Sequence, residues 1–221
     1  GSDEKIQVMD LRLKEDAKKG YFGRVSAGGD FQNFYEGELL FNKFSGSQKI
    51  SFFALGANTP RTGFDWATAN KFGLNNEFSG NWYNQGQQAG LQGVPRTFKT
   101  GFYFSDKLGK NVKMNLDYTY NNNELNKIGD QTSQFFLPDT TYYTDQLSSQ
   151  WEHTTSNQLN TRFDIQVDSL TTLDIVGRLN YNTYDNVLLD TTIFRDSEGN
   201  QTSETTITNL EHQENYSARA S

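Results

Sequence analysis

The sequence predicts an all-β fold: an antiparallel up-and-down meander forming part of a transmembrane β-barrel. Three observations carry this. Apolar and polar residues alternate over long segments, the apolar content is low but rich in aromatic rings, and short turns alternate with long connections. The alternation is clearest in NVKMNLDYTYNNNEL, Asn111 to Leu125. Val112, Met114, Leu116, Tyr118 and Tyr120 are apolar or aromatic, while Lys113, Asn115, Asp117, Thr119 and Asn121 are polar. Successive side chains of a strand point to opposite faces, so such a strand has one greasy face and one wet one.

Composition narrows the function classes. Apolar residues make up 34% of 221, with 17 Phe and 11 Tyr among them, and the mean hydropathy is -0.77. Soluble sandwiches draw more on Val, Ile and Leu for their shared core. The aromatic share of 14% argues against a disordered chain. A net charge of -7 speaks against nucleic acid as a partner, because phosphate binding needs a basic face. With no Cys there is neither a disulfide framework nor a thiolate metal site. No apolar run approaches the ~20 residues of a spanning helix. The polar start GSDEKIQ is not a signal peptide, which predicts a processed product or an internal piece of a longer chain.

In chain order, Ile6 to Leu13 alternates and ends in the charged turn KEDAKKG. GYFGRVSAGGD, NFYEGELLFNKF and, after the tight turn SGSQ, KISFFALGAN read as the next strands. In the last of these, Ile50, Phe52 and Ala54 stand against Phe53 and Leu55, so the sequence leaves its facing open. From Thr59 to Arg96 the alternation stops in a long Asn, Gln and Gly-rich connection, where FDWATANKFGLNN has room for one or two helical turns. Connections this long are usually functional or disordered. Strands resume with TFKTGFYFSD, the turn KLGK and NVKMNLDYTYNNN. A second long connection is expected from Glu124 to Gln150, with FFLPDTTYY as a hairpin inside it and Pro138-Asp139 as its turn. QLNTRFDIQVD, the turn SLTT and LDIVGRLNYNTYD follow, the last extending through VLLDTTIF to a hairpin at DSEGN and returning as SETTITNLEHQENYSA.

Short turns at one end and long loops at the other fit an outer-membrane barrel. In lipid the backbone must satisfy its own hydrogen bonds, so strands close into a barrel with apolar residues outward. Val112, Met114, Leu116, Tyr118 and Tyr120 then face lipid, the tyrosines forming an aromatic girdle, and Lys113, Asn115, Asp117, Thr119 and Asn121 face the lumen. Phe163, Ile165 and Val167 repeat the pattern, as do Leu173, Ile175, Leu179 and Tyr181. The alternative is a soluble β-sandwich adhesin or carbohydrate-binding module with one face of each strand buried.

The stretch IQVMDLRLKEDAKKGYFGRVSAG resembles the junction of plug and barrel in TonB-dependent-receptor-like outer-membrane proteins. KISFFALGANT, TGFYFSDKLGKNVKMNLDYTYNNNE, FFLPDTTYY and NTRFDIQVDSLTTLDIVGRLNYN are similar to the outer-membrane β-barrel family found beside those receptors. The resemblance implies that residues 1–19 are the end of a plug domain and its linker, and 20–221 a partial barrel of about eight strands. A whole receptor of this kind has about twenty-two strands. The resemblance also implies outer-membrane localisation and uptake of a scarce or bulky solute. Its partners would be the plug of the same parent chain, a small-molecule or oligomeric nutrient, and TonB through an N-terminal part that this sequence lacks.

Candidate chemistry is sparse. His153 and His212 have no ligand spacing around them and read as exposed or lumen-facing. DSEGN reads as a turn, its Gly standing too early for an EF-hand loop. Glu36 and Glu38 share a strand face and are expected to face the lumen. No nucleophile elbow, phosphate loop or dinucleotide fingerprint is present, so neither an enzyme nor a cofactor is expected. Phe64, Trp66, Trp82 and Tyr83 in the first long connection are the candidate ligand contacts, since exposed rings stack on sugars or hold apolar solutes. Packing of these rings as loop anchors is the competing and favoured reading.

Overall fold

The computed structural model describes residues 19–30, 33–59, 63–64, 66–72, 74, 93–138 and 140–221. The expected first strand, Ile6 to Leu13, together with Trp82 and Tyr83, lies outside the described residues. Eight strands form one antiparallel meander: β1 (Lys19–Gly29), β2 (Tyr35–Ser45), β3 (Gln48–Ala57), β4 (Val94–Leu108), β5 (Val112–Phe136), β6 (Thr141–Gln166), β7 (Thr172–Arg195) and β8 (Gln201–Ala220). Each strand pairs with its sequence neighbours and with nothing else in the sheet order, so the sheet is open, with β1 and β8 as its edges. One short helix, α1 (Trp66–Lys71), interrupts the connection between β3 and β4.

The short turns fall at the expected places. Gly46 (φ 63°) and Gly109 (φ 76°) supply the left-handed backbone that the first two need. At the third, Asp168 Oδ1 accepts from the amides of Leu170 and Thr171, both at 2.8 Å, so a side chain closes the turn in place of glycine. At the opposite end, Asp30 Oδ1 takes the amides of Asn33 (2.6 Å) and Phe34 (2.7 Å). Asn58 ties that turn to the end of β3, accepting from the Tyr35 amide at 2.7 Å and donating to the Asn33 carbonyl at 2.6 Å.

The second expected long connection is corrected. Residues 124–150 are strand: β5 runs 25 residues to Phe136 and β6 begins at Thr141. Only the tight turn between them remains, closed by the Leu137 amide on the Thr140 carbonyl at 2.8 Å. The alternation fades there because both faces of this tall hairpin are wet, so neither is under pressure to be apolar. Cross-strand polar pairs do the pairing work instead: Lys127 Nζ to Glu152 Oε1 at 2.7 Å and Thr132 Oγ1 to Asp145 Oδ1 at 2.8 Å. The β7–β8 hairpin is equally tall and turns at DSEGN, where Asp196 Oδ1 accepts from the amides of Glu198 and Asn200 at 2.9 Å each. The end expected to carry long loops therefore carries tall hairpins, with one long connection between β3 and β4.

Register sorts every strand into two faces. Phe41, Phe52, Phe102 and Tyr118 stand opposite one another on β2 to β5, and Leu159, Leu179 and Ala218 continue the set on β6 to β8. This apolar face runs unbroken across the sheet, and no second layer covers it among the described residues: Phe102 is 37% and Leu179 52% exposed. The register also settles the facing left open in KISFFALGAN. Ile50, Phe52 and Ala54 join the apolar face, and Phe53 and Leu55 point to the other side.

The polar face is a lattice of hydrogen bonds. Ser105 Oγ donates to Asn115 Oδ1 at 2.7 Å, Asn160 Nδ2 to Asp117 Oδ2 at 2.7 Å, and Arg162 bridges Asp164 and Asp174 at 2.9 and 2.5 Å. Over β2 and β3, however, this face carries the protein's buried apolar cluster, Leu40, Phe53 and Leu55 beneath Phe64, Ala69, Phe72 and Leu74.

Candidate functional site

The polar face of β1 to β4, with the segment around α1 laid on it, is the most built-up part of the molecule. Phe64 is wholly buried and meets Phe53 edge-on, ring centroids 5.7 Å apart at 90°. Phe53 lies across β4 only because its partner there is Gly101, where a Cβ would stand 2.3 Å from Phe53 Cε1. Arg24 of β1 reaches over to donate to Thr68 Oγ1 at 2.8 Å while its Nε pairs with the buried Glu38 at 3.0 Å. Asn42 Nδ2, also buried, donates to the Phe72 carbonyl at 3.2 Å, and the Phe72 ring lies 5.1 Å from that of Phe22. A cavity of about 720 Å³ opens between α1 and β1, lined by Phe22, Arg24, Thr68, Lys71 and Phe72 among others.

Of the four aromatic candidates, Phe64 is thus an anchor packed against the sheet. Trp66 opens α1, and Trp82 and Tyr83 lie outside the described residues. Glu38 sits under the α1 segment paired to Arg24, and its face-mate Glu36 stands opposite Ala57. Sequence reading missed Arg24, Asn42, Thr68, Phe72 and Gly101. A signal existed for them: Leu40, Phe53 and Leu55 are large apolar side chains on positions that alternation assigns to the wet face.

A second constellation crosses five strands in one row. Arg96, Glu124, His153, Asp185 and His212 stand opposite one another on β4 to β8. They lie on the same side of the sheet as the apolar residues, two rows beyond Tyr120 and Tyr181. Arg96 Nη1 is 4.0 Å from Glu124 Oε2, His153 Nδ1 3.6 Å from Asp185 Oδ2, and His212 Nδ1 2.5 Å from Asp185 Oδ1. Glu214, two residues along β8, is 3.4 Å from His212 Nε2. The hydrogen bond from Trp151 holds the Glu124 carboxyl below its ordinary range. The imidazole of His212 does the same for Asp185, and Asp185, then Glu214, raise His212 above its ordinary value. His212 is exposed, His153 is half-buried, and the two share one aspartate. Among the described residues no three His, Cys, Asp or Glu side chains are arranged to hold a metal ion.

A third concavity, about 550 Å³, lies on the apolar face and is bordered by Tyr118, Leu159, Leu179, Tyr181, Tyr216 and Ala218 among others. Tyr181 and Tyr216 stack at 4.7 Å, and the Tyr118 hydroxyl donates to Asn157 at 2.8 Å. The tyrosines gather where the apolar band gives way to polar residues.

No family model, curated protein or solved structure matches this chain. Its function has to be argued from the two faces of the sheet.

Proposed function

We propose that this chain is a stretch of the wall of an outer-membrane receptor or transporter barrel that takes up a scarce or bulky solute. The observation that carries the reading is the apolar band. It occupies one face of all eight strands, and on β5 to β8 it breaks off in register at polar residues, beyond which only scattered apolar side chains such as Ile128, Val187, Leu189 and Leu210 recur. On β5 the band runs from Val112 to Tyr120 and gives way to Asn122 and Glu124; on β7 it runs from Leu173 to Tyr181 and gives way to Thr183 and Asp185. Nine residues match the ~9–11 that a tilted strand needs to cross a bilayer. A soluble sheet gains nothing from ending its apolar face on one line and leaving that face bare, since exposed patches of this extent drive association. In lipid the same face is solvated, the tyrosines at its upper limit lie at headgroup level, and the tall hairpins stand in water.

The polar face then lines an aqueous lumen, where the Asn, Asp, Ser and Arg lattice is at home. The open edges β1 and β8 pair with further strands, since an unpaired edge does not persist in hydrocarbon. Membrane lipid is the partner on one face and a nutrient solute on the other. A plug in the lumen and energy coupling through TonB extend the proposal on the sequence resemblance alone.

Thiol labelling of Leu116→Cys and Asp117→Cys in the full-length protein in native membranes tests the reading. The thiol at 116 reacts with a bilayer-confined maleimide and the thiol at 117 with a water-soluble one. A thiol at 116 shielded from both reagents means that the apolar face packs on protein, which favours a sandwich.

A further inference from the structure

We propose that α1 with its neighbours Phe64, Phe72 and Leu74 is a fixed constriction inside the lumen, and that Lys71 places a positive charge where the solute passes. The inference rests on the barrel reading above and adds to it the element that selects the solute.

The segment lies on the polar, lumen-side face, and it reaches well into the depth of the apolar band. Asn42, which holds the Phe72 carbonyl, is next along β2 to Phe41, a residue of that band on the opposite side. Its attachment is extensive. Phe64 and Leu74 are 0% and 1% exposed, and Leu40, Phe53 and Leu55 sit beneath them as apolar side chains on an otherwise polar face. Burying those groups against the wall favours the docked state, because leaving them in a wet lumen would expose several large apolar surfaces. Arg24 and Asn42 add hydrogen bonds from two different strands. A segment meant to swing freely would have no use for Gly101, which exists to let the Phe53 ring lie flat enough to receive Phe64.

Ala67, Asn70 and Lys71 are exposed, and the cavity beside them is bordered by Lys71 and Arg24 as well as by the Phe22 and Phe72 rings. Arg24 is paired with Glu38, so Lys71 is the cation that a passage narrowed by this helix presents, beside the Phe22 and Phe72 rings. Rings of fixed charge in a narrow passage select the opposite sign. The solute class that fits is anionic, with an apolar or ring-bearing body.

The test is thiol accessibility in native membranes containing the full-length protein, with Ala67→Cys as the reporter. The Leu116→Cys and Asp117→Cys pair in the same membranes reports on the barrel separately. A small anionic methanethiosulfonate is expected to modify position 67 roughly fivefold faster than a cationic reagent of equal size. Lys71→Glu should abolish or reverse that preference. A polymer-tethered maleimide should fail at position 67 and succeed once Phe64→Ala has loosened the docking, with labelling at 116 and 117 unchanged. If the 116 and 117 pair labels as a barrel requires but the polymer reagent reaches position 67 in the otherwise native protein, the constriction is overturned. An unchanged charge preference in Lys71→Glu overturns the role of Lys71. Failure of the 116 and 117 pattern overturns the barrel reading and the constriction with it.

Discussion

Gly101 shows how much a single missing side chain can organise. Its absent Cβ leaves room for the Phe53 ring, and that ring in turn forms the seat for Phe64. Gly101→Ala must displace the ring by more than a side-chain adjustment, and overpacking of this kind costs about 1–3 kcal/mol. The expected result is a lower urea midpoint together with faster proteolysis near α1; an unchanged midpoint and protease pattern would contradict the packing. His212 is the residue whose charge state reports on the five-strand row. Its hydrogen bonds to Asp185 and Glu214 raise its titration above the ordinary 6.5. A raised histidine stabilises the fold below its unfolded pKa, and this contribution is lost as pH rises through the folded value. Asp185 and Glu214 are depressed, so theirs is present above the unfolded carboxylate pKa and lost as pH falls through the folded one. The β7–β8 pairing should therefore be firmest between the carboxylate range and the His212 titration, and loosen on either side. An NMR titration of His212 should give a midpoint above 6.5 that Asp185→Asn lowers. A midpoint at or below the ordinary value in the unmodified protein would contradict the row.

The strands were legible in the sequence wherever one face is greasy. The quoted stretch of β5, the paired segments of β6 and β7, and the three short turns all stand where alternation and turn residues put them. Legibility failed where the environment is the same on both faces. In the upper halves of β5 and β6 a strand needs only polar residues that pair across, so NNNELNKIGDQTSQ has no period to read and resembles a loop. At α1 the helical turns stand where the sequence left room for them, but their seat on the sheet was not legible. The six helical residues are too few for a period, and their partners are distant in sequence, with Arg24 forty-four positions from Thr68. Only the misplaced apolar residues Phe53 and Leu55 hinted that something covers the wet face. A prediction follows for the tall hairpin. Since Asn126 pairs with Trp151, removing residues 127–150 and joining the strands through Asn-Gly should leave the labelling of positions 116 and 117 intact. Loss of that pattern would mean that the tall hairpin, and not the band, holds the lower sheet together.

On the scale of the whole molecule, the two faces change character along the strands. In the lower part, one face is apolar and the other is a polar lattice; in the upper part, both are mainly polar with scattered exposed apolar residues. A sandwich buries one face along its full length, so it predicts no such division. On the proposed reading, the exposed apolar face and the open edges β1 and β8 follow from one cause, a wall solvated by lipid on one side and paired with further strands at its edges.

The most direct test is a spin-label accessibility scan of β7, one site at a time from Thr172 to Arg195, in the full-length protein in lipid. Oxygen, which partitions into hydrocarbon, and a water-soluble nickel chelate serve as relaxation agents. From Leu173 to Tyr181 the account predicts that accessibility alternates with period two, odd positions to oxygen and even positions to the chelate. Beyond Thr183 it predicts chelate access on both faces. Alternation that continues past Thr183, or odd positions from Leu173 to Tyr181 shielded from both agents, would contradict a lipid-facing band.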